Sequence, residues 1–484
     1  MECTTPTSNK LTPKLCSLTS NENIKRNNVN IDALLTRRLI MIPQEKIKSI
    51  DYLFNRIISE RVRGSGEPKY ALLLGAGCSV SSQIASANDV IHLLQSIAFL
   101  REEPTKTNST PFLELEYGKL IPFLEKWYEN NSNNQEFLSF VDMHQNNIRK
   151  QIDTEFNDFG EYYDEVFHGI LQREHKNYQK YSEEEKEQIR RNYIDQYKKN
   201  IAVDREYSYW FAQYSTASED IHSFLTELMN NKNPSEAYIF LADLFINRVF
   251  SIAFTTNFDN LLGEAISLLG VRSKEILFAA NGIDDTLSKT SPNIIKLHGD
   301  YMYNNTKNLS AETRKLSEPL QRQLENVLSK CGMIVIGYAG ADNSIMYLLE
   351  SLSEKYSFPI FWCELEDKIK NDTVHWRARD YVINSANAFF IPMENFDSII
   401  EILRRNYLYY SKLRKDIRSE RGEKEASLLY NEEYLTRALN RIKTIIDKVI
   451  EQNKKISTEV NPIPPPDVSS LLNIRDKSQR VSGE

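Results

Sequence analysis

Apolar positions along the chain follow two patterns. The first is a short unbroken run that ends on small or polar residues. Such runs occupy 69–74, 250–255, 293–297, 333–337, 359–363 and 388–391. Runs of this length, rich in Ile, Val, Leu and Phe, predict strands buried on both faces. The second pattern repeats every three or four positions and predicts helices over 258–269, 319–330, 344–355, 373–384 and 396–407. Strands that alternate with helices imply parallel βαβ units. The expected class is α/β: a Rossmann-like parallel sheet with helices on both faces, a large helical insertion and a C-terminal helical extension.

The remaining segments read differently. Residues 1–30 are polar and predict a disordered arm. Helical spacing follows from 31 to 63, and Pro43 divides it into two helices. After the run at 69–74 a helix begins near Ala87, where Ser86 and Asp89 make a capping-box pattern. Residues 101–245 are charged, aromatic and helical in period, over 112–130, 136–163, 183–200 and 218–230. This insertion either roofs a pocket, as long insertions after a βα unit do, or serves as scaffold or oligomer face. The expected parts are an arm with N-terminal helices (1–65), a nucleotide-binding domain (66–400) interrupted by the insertion (101–245), and C-terminal helices with a polar tail (401–484). A basic stretch containing Arg404, Arg405, Lys412, Arg414, Lys415, Arg418 and Arg421 fits nucleic-acid contact or a solvated helical face.

Composition narrows the classes. The chain has 484 residues, a formal charge of -7 and 11% aromatics. That length allows two or three domains. The negative balance argues against a protein that coats nucleic acid. Five cysteines (Cys3, Cys16, Cys78, Cys331, Cys363) are scattered without metal-ligand spacing. No apolar run nears the ~20 residues of a membrane span, and the polar start lacks a secretory h-region. The expectations are a cytoplasmic location, no membrane contact and no metal.

Candidate chemistry sits where strands end, since open α/β sheets bind ligands outside their carboxyl ends. Gly75-Ala-Gly-Cys-Ser79 follows a strand. Its glycines suit close approach to a pyrophosphate, or simply a tight turn. Thr255-Thr-Asn-Phe-Asp259 is a polar tip on a buried strand. His298, in Leu297-His-Gly-Asp300, is placed for a general base, although a lone histidine is more often structural. Met333-Ile-Val-Ile-Gly-Tyr-Ala-Gly-Ala-Asp342 ends in a further small-residue turn.

The order GAGxS, TxNxD, HG and a strand ending GxxGxD resembles the sirtuin family, and more closely the sirtuin-like domains of bacterial antiviral defence proteins. The resemblance covers 69–97 and 248–407. It implies that Gly75, Ala76, Gly77 and Ser79 form a phosphate-binding turn. It implies that Asn257 holds the nicotinamide ribose and orients a water, that Asp259 bonds the carboxamide, and that His298 is the general base. Gly337 and its turn resemble a second phosphate- and ribose-contacting loop, and Thr255 and Asp342 join the cofactor contacts. Two departures stand out. Gln83-Ile-Ala85 replaces the Gly-Ile-Pro of classical sirtuins, and the four-cysteine zinc module is absent.

The activity implied is hydrolysis of NAD+ to nicotinamide and ADP-ribose, with NAD+ as substrate and Asn257 and His298 as catalytic residues. Such an enzyme would be a gated effector that depletes NAD+ in antiviral defence by abortive infection. The gate would be homo-oligomer assembly or a partner: an ATPase or translocase, an Argonaute or a phage protein. The alternatives are a sirtuin-like deacylase or ADP-ribosyltransferase, and a non-enzymatic nucleotide sensor.

Overall fold

The computed structural model describes residues 42–63, 67–102, 118–158, 182–215, 218–277, 287–288, 291–298, 318–352 and 358–420. The polar arm, the helix expected before Pro43, Gly299, Asp300, Arg421 and the tail lie outside the described residues.

A seven-stranded parallel sheet organises these residues. Its strands are β1 (Tyr70–Leu74), β2 (Ile252–Thr255), β3 (Lys274–Leu277), β4 (Asn293–Lys296), β5 (Gly332–Ile336), β6 (Ile360–Leu365) and β7 (Ala388–Met393). Their order is β3-β4-β2-β1-β5-β6-β7, and every pairing is parallel. The central strands β1 and β5 are buried at every position, which is why they read as continuous apolar runs. Ile47 adds a parallel bridge to Phe390 at the outer edge.

The helices are α1 (Ile50–Arg63), α2 (Ala87–Glu102), α3 (Leu120–Asn131), α4 (Gln135–Asp158), α5 (Glu183–Tyr214), α6 (Ser218–Met229), α7 (Glu236–Ile246), α8 (Leu261–Leu268), α9 (Glu318–Leu328), α10 (Asn343–Leu352), α11 (Glu366–Lys370), α12 (Trp376–Asn384) and α13 (Phe396–Glu420). Side chains alternate across each strand. Ala71, Leu73, Phe254, Ile295, Val335 and Trp362 face one way and pack with α9, α10 and α12. Tyr70 and Phe361 face the other, where their rings meet at 5.8 Å and Tyr52 of α1 joins them. Helix α7 packs against α8 and α13, and α13 also against α1 and β7. This is the Rossmann-like α/β architecture.

The insertion builds on α2. Helices α3 and α5 pack against α2, and α4 against α5. The Ser86–Asp89 capping box forms: each side chain accepts the other residue's backbone N–H, at 3.3 and 2.9 Å. Helix α7 departs from the rest of the expected insertion. Apart from Asp243 it is apolar from Ala237 to Phe245, and these residues are buried except Phe240, as in a helix covered on most sides. Arg404 also leaves the exposed basic set, since its Nε donates to Asp243 of α7 at 2.9 Å. A single helix, α13, runs through residue 400. No described helix is long and apolar enough to cross a membrane.

Candidate active site

The strand order reverses at β1. The chain goes from β1 to β2 on one side and returns from β4 to β5 on the other. Such a switch point is where open α/β sheets hold ligands. Register places the four candidate segments there together. Thr255 pairs with Leu74 and with Lys296, and Leu74 pairs with Ile336. Asn257 and His298 therefore each stand two residues beyond a paired position on neighbouring strands.

The tip after β2 is held from below. Thr255 Oγ1 accepts the Asn257 N–H at 3.0 Å, a local turn that a threonine at a strand end makes readily. Asn257 Nδ2 donates to the Gly75 carbonyl at 3.1 Å and to Ser79 Oγ at 3.0 Å. A carbonyl only accepts, so the orientation of the amide is settled by its partners. Oδ1 is left buried without a hydrogen bond among the described residues. A buried acceptor without a donor costs about 1–3 kcal/mol. An atom in that state fits the amide oxygen that would meet a ligand hydroxyl or a water.

Ser79 is the hub under this amide, and it is 1% exposed. Its hydroxyl donates to Asp259 Oδ2 at 2.7 Å and lies 3.1 Å from Tyr238 Oη. With the Ser79 proton given to the carboxylate, Tyr238 is the donor in that second contact. Asp259 Oδ1 accepts the Leu261 N–H at 3.2 Å at the start of α8. Lys296 Nζ, buried at 1% exposure, donates to the carbonyls of Phe258 and Asp259. Ser79 thus faces inward, onto Asn257 and Asp259. Ala76 and Gly77 are exposed on the same turn.

The turn after β1 interlocks with the turn after β5. Gly75 N–H donates to the Ile336 carbonyl and Gly77 N–H to the Gly337 carbonyl, both at 2.9 Å. A Cβ on Gly75 would lie 2.4 Å from the Gly337 oxygen, and one on Gly337 would lie 2.6 Å from the Cys78 nitrogen. Gly337 also has φ +67, a left-handed value that favours glycine. Close approach of two chain segments therefore accounts for these glycines. Two 3-10 turns, Ala76–Cys78 and Val80–Ser82, follow, so no α-helix begins directly at the glycine turn. The Cys78 thiol donates to the Ile336 carbonyl at 3.2 Å. Burial pushes it well up against a backbone hydrogen bond from Gly75, so it is no thiolate nucleophile.

His298 follows β4, with Nε2 2.6 Å from Asp342 Oδ2. The contact is close but bent, short of an aligned hydrogen bond. Asp342 Oδ1 accepts from Ser344 N (2.7 Å), Ser344 Oγ (2.7 Å) and Ile345 N (3.2 Å), and so caps α10. Burial alone would raise the Asp342 carboxyl, but His298, Ser344 and the Ile345 N–H outweigh it and hold it below its ordinary value. Strands β4 and β5 are separated by β2 and β1, so this contact spans their ends.

The loop 337–342 also rests on α12. A Cβ on Gly340 would come within 3.3 Å of Ala378. The first turn of α12 is tied to the insertion through Asp204 of α5. Its carboxylate meets His375 Nε2 at 2.7 Å, Trp376 Nε1 at 3.3 Å and Arg377 Nε at 3.3 Å.

Of the ten residues expected at the site, the structure joins Gly75, Ser79, Thr255, Asn257 and Asp259 in one hydrogen-bonded group. It interlocks Gly75 and Gly77 with Gly337, and it pairs His298 with Asp342. Tyr238, Lys296 and Asp204 were not expected to take part. The apolar run 237–245 was the available signal for Tyr238, since it breaks with the polar character of the insertion around it. No curated protein matches the chain. Residues 251–385 match the family model described as SIR2-like domain, a stretch that includes Thr255, Asn257, Asp259, His298, Gly337 and Asp342 and stops short of the glycine turn at 75–79. That match supports a sirtuin-like domain over these residues.

Proposed function

We propose that the chain hydrolyses the N-glycosidic bond of NAD+, with water as acceptor, to nicotinamide, ADP-ribose and a proton. The observation that supports this best is Asn257. Its amide is clamped by Gly75 and Ser79 and keeps a buried oxygen, unpartnered among the described residues, at the carboxyl end of β2. That oxygen would orient the attacking water or the nicotinamide ribose. His298, level with it on the next strand, would take the proton, and general-base help of this kind is worth roughly 10²–10⁴-fold. Nicotinamide leaves as a neutral pyridine and needs no general acid. Ala76, Gly77 and the Gly337 turn would hold the phosphates and adenosine ribose.

In this reading the enzyme is a cytoplasmic effector of antiviral defence, gated by assembly or by a partner. The support for that part is the resemblance of the motifs to those of defence proteins. The deciding experiment follows NAD+ in cells expressing wild type or Asn257→Ala, with and without viral challenge. Depletion only in challenged wild-type cells is the expected result. Equal NAD+ levels in wild-type and Asn257→Ala cells after challenge count against it.

A further inference from the structure

We infer that Asp342 is a positioning residue for His298: its carboxylate, lying against Nε2, selects the tautomer with hydrogen on that nitrogen and leaves Nδ1 as the atom that accepts the proton. The inference rests on the proposed hydrolysis and adds the tautomer and the residue that selects it.

The two carboxylate oxygens do separate work. Oδ1 alone takes the three donors at the start of α10, from Ser344 N, Ser344 Oγ and Ile345 N. Capping therefore needs one oxygen, and asparagine or serine would serve as well as aspartate. Oδ2 is left over, and it lies 2.6 Å from His298 Nε2. The Asp342 side chain is 9% exposed. Burying a charged group where a neutral cap would suffice has a cost, so the charge itself points to a use beyond the cap.

An ionised carboxylate only accepts, so it selects the ring tautomer with hydrogen on the nitrogen that faces it. That nitrogen is Nε2. Nδ1 takes no hydrogen bond from the described residues and remains the basic atom. When Nδ1 accepts a proton from water or from a ribose hydroxyl, the ring becomes an imidazolium beside a carboxylate. Asp342 would then stabilise the charge formed in that step, without itself taking up the proton. Around the pair, the Tyr338 hydroxyl donates to the Asp342 carbonyl at 3.4 Å, and Arg377 and Asp204 lie within electrostatic range of Tyr338.

Asp342→Asn separates capping from charge. Its amide oxygen can still cap α10, while the NH2 that replaces Oδ2 donates toward Nε2 and favours the opposite tautomer. Two measurements on the full chain decide the matter. The ring 15N shifts of the neutral His298 should show hydrogen on Nε2 in wild type and on Nδ1, or on both in exchange, in Asp342→Asn. Steady-state NAD+ cleavage should lose roughly 10²–10⁴ in kcat, with KM within about threefold. The thermal midpoint should hold, because the cap is kept. An unchanged tautomer overturns the inference whatever the activity does. A swapped tautomer with unchanged kcat in an active enzyme overturns it too. Failure of wild type to cleave NAD+ even when supplied with extract of virus-challenged cells refutes the hydrolase reading instead, and the 15N shifts still decide which nitrogen of His298 carries the hydrogen.

Discussion

Ser79→Ala removes one oxygen from the centre of the buried group below Asn257. Three contacts go with it: the 2.7 Å bond to Asp259, the 3.0 Å bond from Asn257 Nδ2 and the 3.1 Å contact with Tyr238. A hydrogen bond to a charged group contributes about 1.5–3 kcal/mol, and a buried hydroxyl left without a partner costs about 1–3 kcal/mol. Asn257 keeps its bond to the Gly75 carbonyl, so little is added there. The expected loss is roughly 3–5 kcal/mol, large against the ~5–15 kcal/mol stability of a domain. The amide of Asn257 also gains rotational freedom, so NAD+ cleavage should fall through kcat more than through KM. Val80→Ala, at a neighbouring site 52% exposed, is the control and should change stability by no more than about 0.5 kcal/mol. Urea unfolding followed by circular dichroism measures the first effect, and initial rates of nicotinamide release measure the second. If Ser79→Ala unfolds at the wild-type midpoint and turns over NAD+ at the wild-type rate, the hub has no such role.

Three further outcomes are expected. Asp204→Ala strands His375 and Arg377, whose side chains are 17% and 9% exposed. Breaking such a pair costs about 3–5 kcal/mol, and proteolysis should then cut within the insertion sooner than in wild type; an unchanged digestion rate and midpoint would refute the tie. Gly337→Ala combines left-handed strain with a Cβ 2.6 Å from the Cys78 nitrogen, whereas Gly118, at φ +85, has nothing within 4 Å. Gly118→Ala should therefore lose only about 1 kcal/mol, and Gly337→Ala about 1–3 kcal/mol more; equal unfolding midpoints would contradict the interlock. The third concerns pH. His92 stacks on Tyr128 at 4.4 Å, and His144 bonds the Tyr209 hydroxyl at 2.8 Å. Burial lowers both from the ordinary 6.5, against the pull of Asp89 and Glu206 on His92 and of Glu102 on His144. The folded state then binds fewer protons than the unfolded one below that value, so this stability is complete above 6.5 and declines as pH falls through it. The melting temperature should drop between pH 7.5 and 5.5, and by less in the double variant His92→Gln, His144→Gln; an equal drop in both proteins would be evidence against this source.

Strands β1, β2, β4, β5, β6 and β7 were legible because a parallel strand covered on both faces leaves an unbroken apolar run. β3 was not, since Lys274-Glu-Ile-Leu277 is four residues long and pairs on one side only. Helix α5 was expected to end at Asn200 and continues to Tyr214. Its second half carries Tyr207, Tyr209, Trp210 and Phe211 on several faces, and buried surroundings on more than one side erase the three-to-four spacing. Asn257 and His298 were legible as polar residues at strand ends. The inward role of Ser79 was not, because a motif gives the order of residues and not which way each one turns. Tyr238 and Asp204 come from elements far away in sequence and carry no local pattern that leads to the site. Match and motif agree on the sirtuin-like part, while the insertion that reaches α12 through Asp204 lies outside both.

The most direct measurement is nicotinamide release from NAD+ by the full-length chain supplied with extract of virus-challenged cells, counted above the extract alone, with ADP-ribose quantified alongside and no acylated peptide present. The account predicts equal amounts of the two products from wild type and neither from Asn257→Ala, which should unfold as a well-ordered protein. Undiminished release by Asn257→Ala, or release by wild type only when an acylated peptide is supplied, would contradict it.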